Sequence, residues 1–89
     1  MVNNLPEEGE LIGTISHYYG NIGVAVVELS GNLKVGETIR IAGGEADFTQ
    51  EVESLEVDHQ KVSEAKPGSS VGFKVSQKAR DGYRVYRLD

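Results

Sequence analysis

Residues 31–41 read Gly-Asn-Leu-Lys-Val-Gly-Glu-Thr-Ile-Arg-Ile, and they constrain the fold more than any other stretch. Gly31-Asn32 reverses at low steric cost, because glycine accepts positive φ and asparagine tolerates the left-handed region. Leu33 and Val35 flank Lys34 as apolar anchors, and Gly36 allows a second sharp change of direction. Thr38-Ile39-Arg40-Ile41 then alternates polar and apolar side chains, the mark of a half-buried strand. A strand therefore enters, a short hydrophobic hook crosses one end of a sheet, and a new strand leaves.

The rest of the chain repeats this grammar. Residues 1–9 are polar and carry Pro6, and they are expected to form a loose arm before a domain over 10–89. A strand is predicted over 11–18, with Gly13 as a bend or a point of close approach. Gly20-Asn21 follows as a hairpin turn. The run 22–29 is apolar on both faces: Ile22, Val24 and Val26 on one, Ala25, Val27 and Leu29 on the other. Such a strand needs cover on both sides, and a terminal segment or a partner is expected over the outer one. A strand over 48–57 changes the parity of its apolar residues between Val52 and Leu55, which requires a bulge or corner. Asp58-His59, Lys66-Pro67-Gly68 and Asp81-Gly82 are predicted turns, and Val71, Phe73 and Val75 form one inward face. No window has sustained helical periodicity. The expected fold class is all-β: a closed antiparallel β-barrel of six to seven strands, since closure removes exposed edges.

The 89 residues hold one domain with a modest core. No segment approaches the roughly 20 apolar residues of a spanning helix, so no membrane association is expected. Cysteine is absent, which excludes disulfides and thiol chemistry and accords with a cytoplasmic location. The net charge of −5 argues against indiscriminate gripping of duplex nucleic acid, but not against contact with a short nucleic-acid end.

Catalytic and cofactor signals are missing. No glycine precedes Lys-Ser or Lys-Thr at P-loop spacing, so GTP binding by that route is not expected. His17 and His59 have no metal-ligand spacing. Ser16-His17 are adjacent strand residues that point to opposite faces, and Glu51 and Glu53 are explained by an exposed strand face. No enzyme activity, metal or cofactor is expected. Binding chemistry is better represented. Tyr18 and Tyr19 lie near a loop where rings can stack on bases or seal a barrel end. Tyr83 and Tyr86 interleave with Arg84 and Arg87, a pattern able to meet phosphate or to pack the last strand against the first.

In order and spacing these elements resemble a known family. Gly13-Thr14-Ile15 and the segment 31–41 match the second, β-barrel domain of translational GTPases such as elongation factor Tu and initiation factor 2. Val52-Glu53-Ser54-Leu55, Glu64-Ala65-Lys66-Pro67-Gly68, Val71-Gly72-Phe73 and Asp81-Gly82-Tyr83-Arg84-Val85 follow in the family's order. The resemblance implies a translation-associated binding module that contacts the tRNA acceptor end, ribosomal RNA or a translation protein. It places Glu53 where the elongation factor packs an acidic residue on the terminal adenosine; Lys34 is a further candidate binding residue. The elongation factor's arginine before the hook falls in the apolar Val27 region, and no GTPase domain accompanies the barrel. A similar barrel closes some collagenase-like peptidases. The alternative expectation is therefore an accessory protein-interaction module with a peptidase partner and no RNA role.

Overall fold

A computed structural model of the chain describes residues 9–44 and 46–88. The arm expected over 1–9 lies almost entirely outside the described residues. Within them the fold is all-β and antiparallel throughout, with no helix.

The hook and its flanking strands form as their residues dictate. Strand β1 (Glu10–Tyr19) and β2 (Val24–Leu29) are a hairpin whose turn closes with the Gly23 amide donating to the Tyr19 carbonyl at 2.8 Å. Gly23, at φ 67°, takes the positive-φ position there, rather than Gly20 or Asn21. Gly13 is a close-approach glycine: a side chain there would meet Val27 Cγ1 at 2.7 Å and the Glu28 carbonyl at 2.8 Å. The ladder of β1 shifts register beside it, between Leu11 and Gly13, and again between Ile15 and His17.

The hook supplies β3 (Leu33–Lys34) and, past Gly36 at φ 97°, β4 (Thr38–Gly43). Leu33 is fully buried, but Val35 is 40% exposed. Only one of the two expected anchors enters the core, because Leu33 lies in the ladder with Ala65 while Val35 lies past its end.

The corner expected between Val52 and Leu55 is present, and it splits that strand in two. Strand β5 (Ala46–Glu51) pairs only with β4; β6 (Leu55–Val57) lies at the other side of the sheet against β9 (Ser70–Lys74). Val52 turns the corner, its amide donating to the Glu37 carbonyl and its carbonyl accepting from the Gly36 amide. Strands β7 (Gln60–Val62), β8 (Glu64–Ala65) and β10 (Arg84–Arg87) complete the set.

The large sheet runs β5-β4-β10-β1-β2-β9-β6-β7, and β3 with β8 makes a separate two-stranded ribbon. The backbone ladder stops short of the expected closure, since among the described residues no hydrogen-bonded pairing joins its edge strands β5 and β7. The sheet nevertheless curls around one core. Phe48 of β5, Val85 of β10, Val27 of β2, Phe73 of β9 and Leu55 of β6 belong to one buried cluster. No polar or charged residue among those described is buried, so the interior is purely apolar. Burial of this kind is the dominant stabilising term in a small domain.

Candidate binding face

The outer surface of β2 and β9 follows from their alternation. In β2, Ala25, Val27 and Leu29 point inward, leaving Val24 and Val26 on the outside. In β9, Val71 and Phe73 point inward, leaving Ser70, Gly72 and Lys74 outside. The register sets Val24 opposite Lys74, Val26 opposite Gly72 and Glu28 opposite Ser70. Glu56 of β6 stands on the other side of Gly72. Together with Tyr19, Ile22 and the Asp58-His59 turn, Val24, Val26, Glu56, Ser70, Gly72 and Lys74 line an open groove of about 940 Å³.

The groove exposes apolar side chains among polar ones. Ile22 is 61% exposed and Tyr19 48%, and Val24 and Val26 are half-buried. The outer face of β2, expected to require cover, is uncovered among the described residues. Its far wall is strained: Asp58 and His59 both have positive φ, at 53° and 64°, in the two-residue turn between β6 and β7. Positive φ at both positions defines a type I′ hairpin turn, where Asn-Gly or Asp-Gly is preferred over a bulky residue.

The six residues singled out in the sequence do not converge. Glu53 lines a smaller pocket of about 230 Å³ with Gln50, Glu51, Ser54, Lys74 and Ser76, between β5 and the end of β9. Two carboxylates there face one ammonium, an arrangement that disfavours a phosphate. Lys34 is exposed on the ribbon, its amide bonded to Glu37 Oε1 at 2.9 Å. Tyr18 packs against the core. Tyr19 borders the groove, its ring centroid 4.2 Å from that of His17. Arg84 is exposed on β10 opposite Thr14, two strands from β9's neighbour β2. Arg87 is engaged internally: it donates to the Asn32 carbonyl at 2.8 Å and to Glu10 Oε1 at 2.6 Å, tying the start of the hook to β1.

The sequence assigns no binding role to Gln50, Gly72, Glu56 or Asp58, although Asp58 lies in an expected turn and Gly72 is a glycine inside an otherwise alternating strand. Among the described residues no group of three histidines or carboxylates is placed to share a metal ion. Ser16 Oγ donates to the Val26 carbonyl rather than to a histidine.

No family model matches the chain. An uncharacterized protease of Methanocaldococcus jannaschii is 40% identical over 78 residues, 86% of this chain and 19% of that protein. A collagenase of Porphyromonas gingivalis is 32% identical over 80 residues, 88% of this chain and 22% of that protein. Elongation factor 1-alpha 2 of Euplotes crassus is 42% identical over 62 residues, 70% of this chain and 13% of the factor. The chain thus spans about a fifth or less of the length of these relatives.

Several solved structures share the fold, among them the following two. The C-terminal domain of a Geobacillus thermoleovorans U32 peptidase superposes with a TM-score of 0.84 at 21% identity, with both chains covered completely. A bacterial selenocysteine-specific elongation factor superposes with a TM-score of 0.69 at 15% identity over 97% of this chain and 16% of the factor. The all-β fold is therefore found in both a peptidase and an elongation factor, and fold alone does not choose between their functions.

Proposed function

We propose that the chain is a non-catalytic accessory module of the kind carried by protease-type proteins, and that it binds polypeptide through the outer face of β2 and β9. One observation carries this reading: Tyr19, Ile22, Val24 and Val26 form a continuous apolar surface in an open groove, on a protein with no buried polar residue among those described. A contiguous apolar patch rimmed by polar groups marks an interaction site. The protease-type relatives supply the context, since their matched segments lie within much longer chains.

The translation-associated reading is supported by the elongation-factor relatives, and the same experiment weighs it. A ¹⁵N-labelled chain is titrated with gelatin hydrolysate, and separately with acceptor-stem RNA at low and high salt. Shifts at Val24, Val26 and Gly72 with gelatin, and none with RNA, are expected. Salt-dependent shifts around Glu53, Lys34 and Arg84 with RNA, with none from gelatin, would overturn the proposal.

A further inference from the structure

Gly72 lies in the middle of β9 and in the floor of the groove, and nothing in the fold demands a glycine there. Its backbone is ordinary extended chain, with no positive φ. A side chain added to it would meet Val24 Cγ1 at 3.7 Å and the Ala25 carbonyl at 3.9 Å, which is ordinary contact. Gly13 and Gly43 differ, because a side chain at either would collide with neighbouring atoms. A strand-interior glycine forgoes packing and loses extra backbone entropy on folding. The register of β9 with β2 is regular, so Gly72 marks no bulge there, and a strand glycine of this kind also marks places where a ligand or another backbone approaches closely.

The surroundings specify what approaches. Val24 and Val26 flank the notch on the β2 side. On the β6 side are Glu56, directly opposite Gly72, and Asp58, and neither carboxylate has a hydrogen bond or ion pair among the described residues. Resting on the polypeptide-binding reading above, we infer that the Gly72 notch receives an apolar side chain of an extended partner segment whose neighbouring lysine or arginine meets Glu56 and Asp58. The apolar side chain fills the gap that the missing Cβ leaves between Val26 and Glu56. Lys61 stands opposite Glu56 and Lys74 lines the same groove, but neither forms an ion pair with Glu56 or Asp58 among the described residues, so both carboxylates are available to the partner's cation.

The test uses the 89-residue chain and three synthetic peptides: acetyl-Gly-Lys-Leu-Lys-Gly-amide, its Glu-Leu-Glu counterpart and its Lys-Gly-Lys counterpart. The Lys-Leu-Lys peptide is expected to shift the Val26, Gly72 and Glu56 amides, and the other two to leave them in place. Gly72→Ala is expected to raise the melting temperature by about 2–6 °C while weakening the Lys-Leu-Lys peptide about tenfold or more. Glu56→Gln with Asp58→Asn is expected to weaken it as well, with Leu-dependent binding retained. If Gly72→Ala leaves the peptide affinity unchanged or lowers the melting temperature, the notch is overturned. Gelatin shifts at Val24 and Val26 would still uphold the broader reading. If neither gelatin nor peptide moves any groove resonance, both fail. Concentration-dependent dimerisation through the same resonances would assign the face to a second copy and overturn the partner segment.

Discussion

The Gln50 side chain reaches from edge strand β5 to Ser76, just past the end of β9. Its Oε1 accepts from the Ser76 amide at 2.7 Å, and its Nε2 donates to the Lys74 carbonyl at 2.8 Å. Gln50 belongs to β5, one edge of the large sheet, and Lys74 ends β9, which no backbone ladder joins to β5. One primary amide therefore imitates a peptide unit, offering a donor and an acceptor where a ladder rung would stand. It is the polar link that brings the curled sheet closest to a cylinder.

Replacing Gln50 with alanine removes both bonds. A cost of about 1–2 kcal/mol is expected, since the groups freed are partly solvated. Chemical denaturation gives the total, and hydrogen exchange locates it: the Ser76 amide should lose protection while Val27 and Val85 keep theirs.

The hook has one anchor and not two. Leu33 is fully buried and Val35 40% exposed. Leu33→Ala is expected to cost about 2–5 kcal/mol, and Val35→Ala no more than about 0.5 kcal/mol. Equal losses in urea titrations would show that Val35 shares the core.

Gly43 is required by a ring. A side chain there would lie 2.7 Å from Tyr83 Cγ and 3.0 Å from Tyr83 Cα. Gly43→Ala is expected to destabilise by about 1–3 kcal/mol. Combination with Tyr83→Ser should recover part of that loss, and a double-mutant cycle reads the coupling directly. Gly72→Ala has the opposite sign in the same assay.

The turn between β6 and β7 stores strain at His59, whose φ is 64°. His59→Gly yields the Asp-Gly pair that a type I′ turn prefers. A gain of about 1 kcal/mol is expected from relief of the left-handed conformation, measured as a raised denaturation midpoint with an unchanged m-value.

Asp47 gives the fold an acid-sensitive contact. It accepts two hydrogen bonds from Arg40, at 2.7 and 2.5 Å, and these lower its carboxyl below the ordinary range; loss of hydration opposes the shift and the guanidinium charge assists it. A pKa lowered in the folded state means that the unfolded state binds the proton more tightly. The contribution is complete above the unfolded carboxyl's value of about 3.9 and disappears as pH falls through the lower folded value. Asp47→Asn should therefore melt below the parent at neutral pH, and the two curves should converge as pH falls through the lowered folded value.

Much of the fold was legible because its determinants are local. The parity change between Val52 and Leu55 announced a corner, and one is present at Val52. The turn glycines at 36, 68 and 82 all have positive φ, because only glycine adopts that backbone freely. The candidate site was less legible. Val24 and Val26 were visible as a second apolar face, but Glu56 and Asp58 lie some thirty positions away in sequence and join them only through β9. Arg87 read as a phosphate ligand by its neighbours in sequence, whereas its partners Glu10 and Asn32 come from distant strands.

The sequence by itself determined where the chain reverses and which side of each ribbon avoids water, since both follow from backbone sterics and a two-residue period. Tertiary structure alone decided which strands meet, that an amide side chain links β5 to the end of β9, and that Gly72 lies opposite Glu56 in a groove that Asp58 also lines. Those outcomes depend on strand order and register, which bring together residues that no local rule relates.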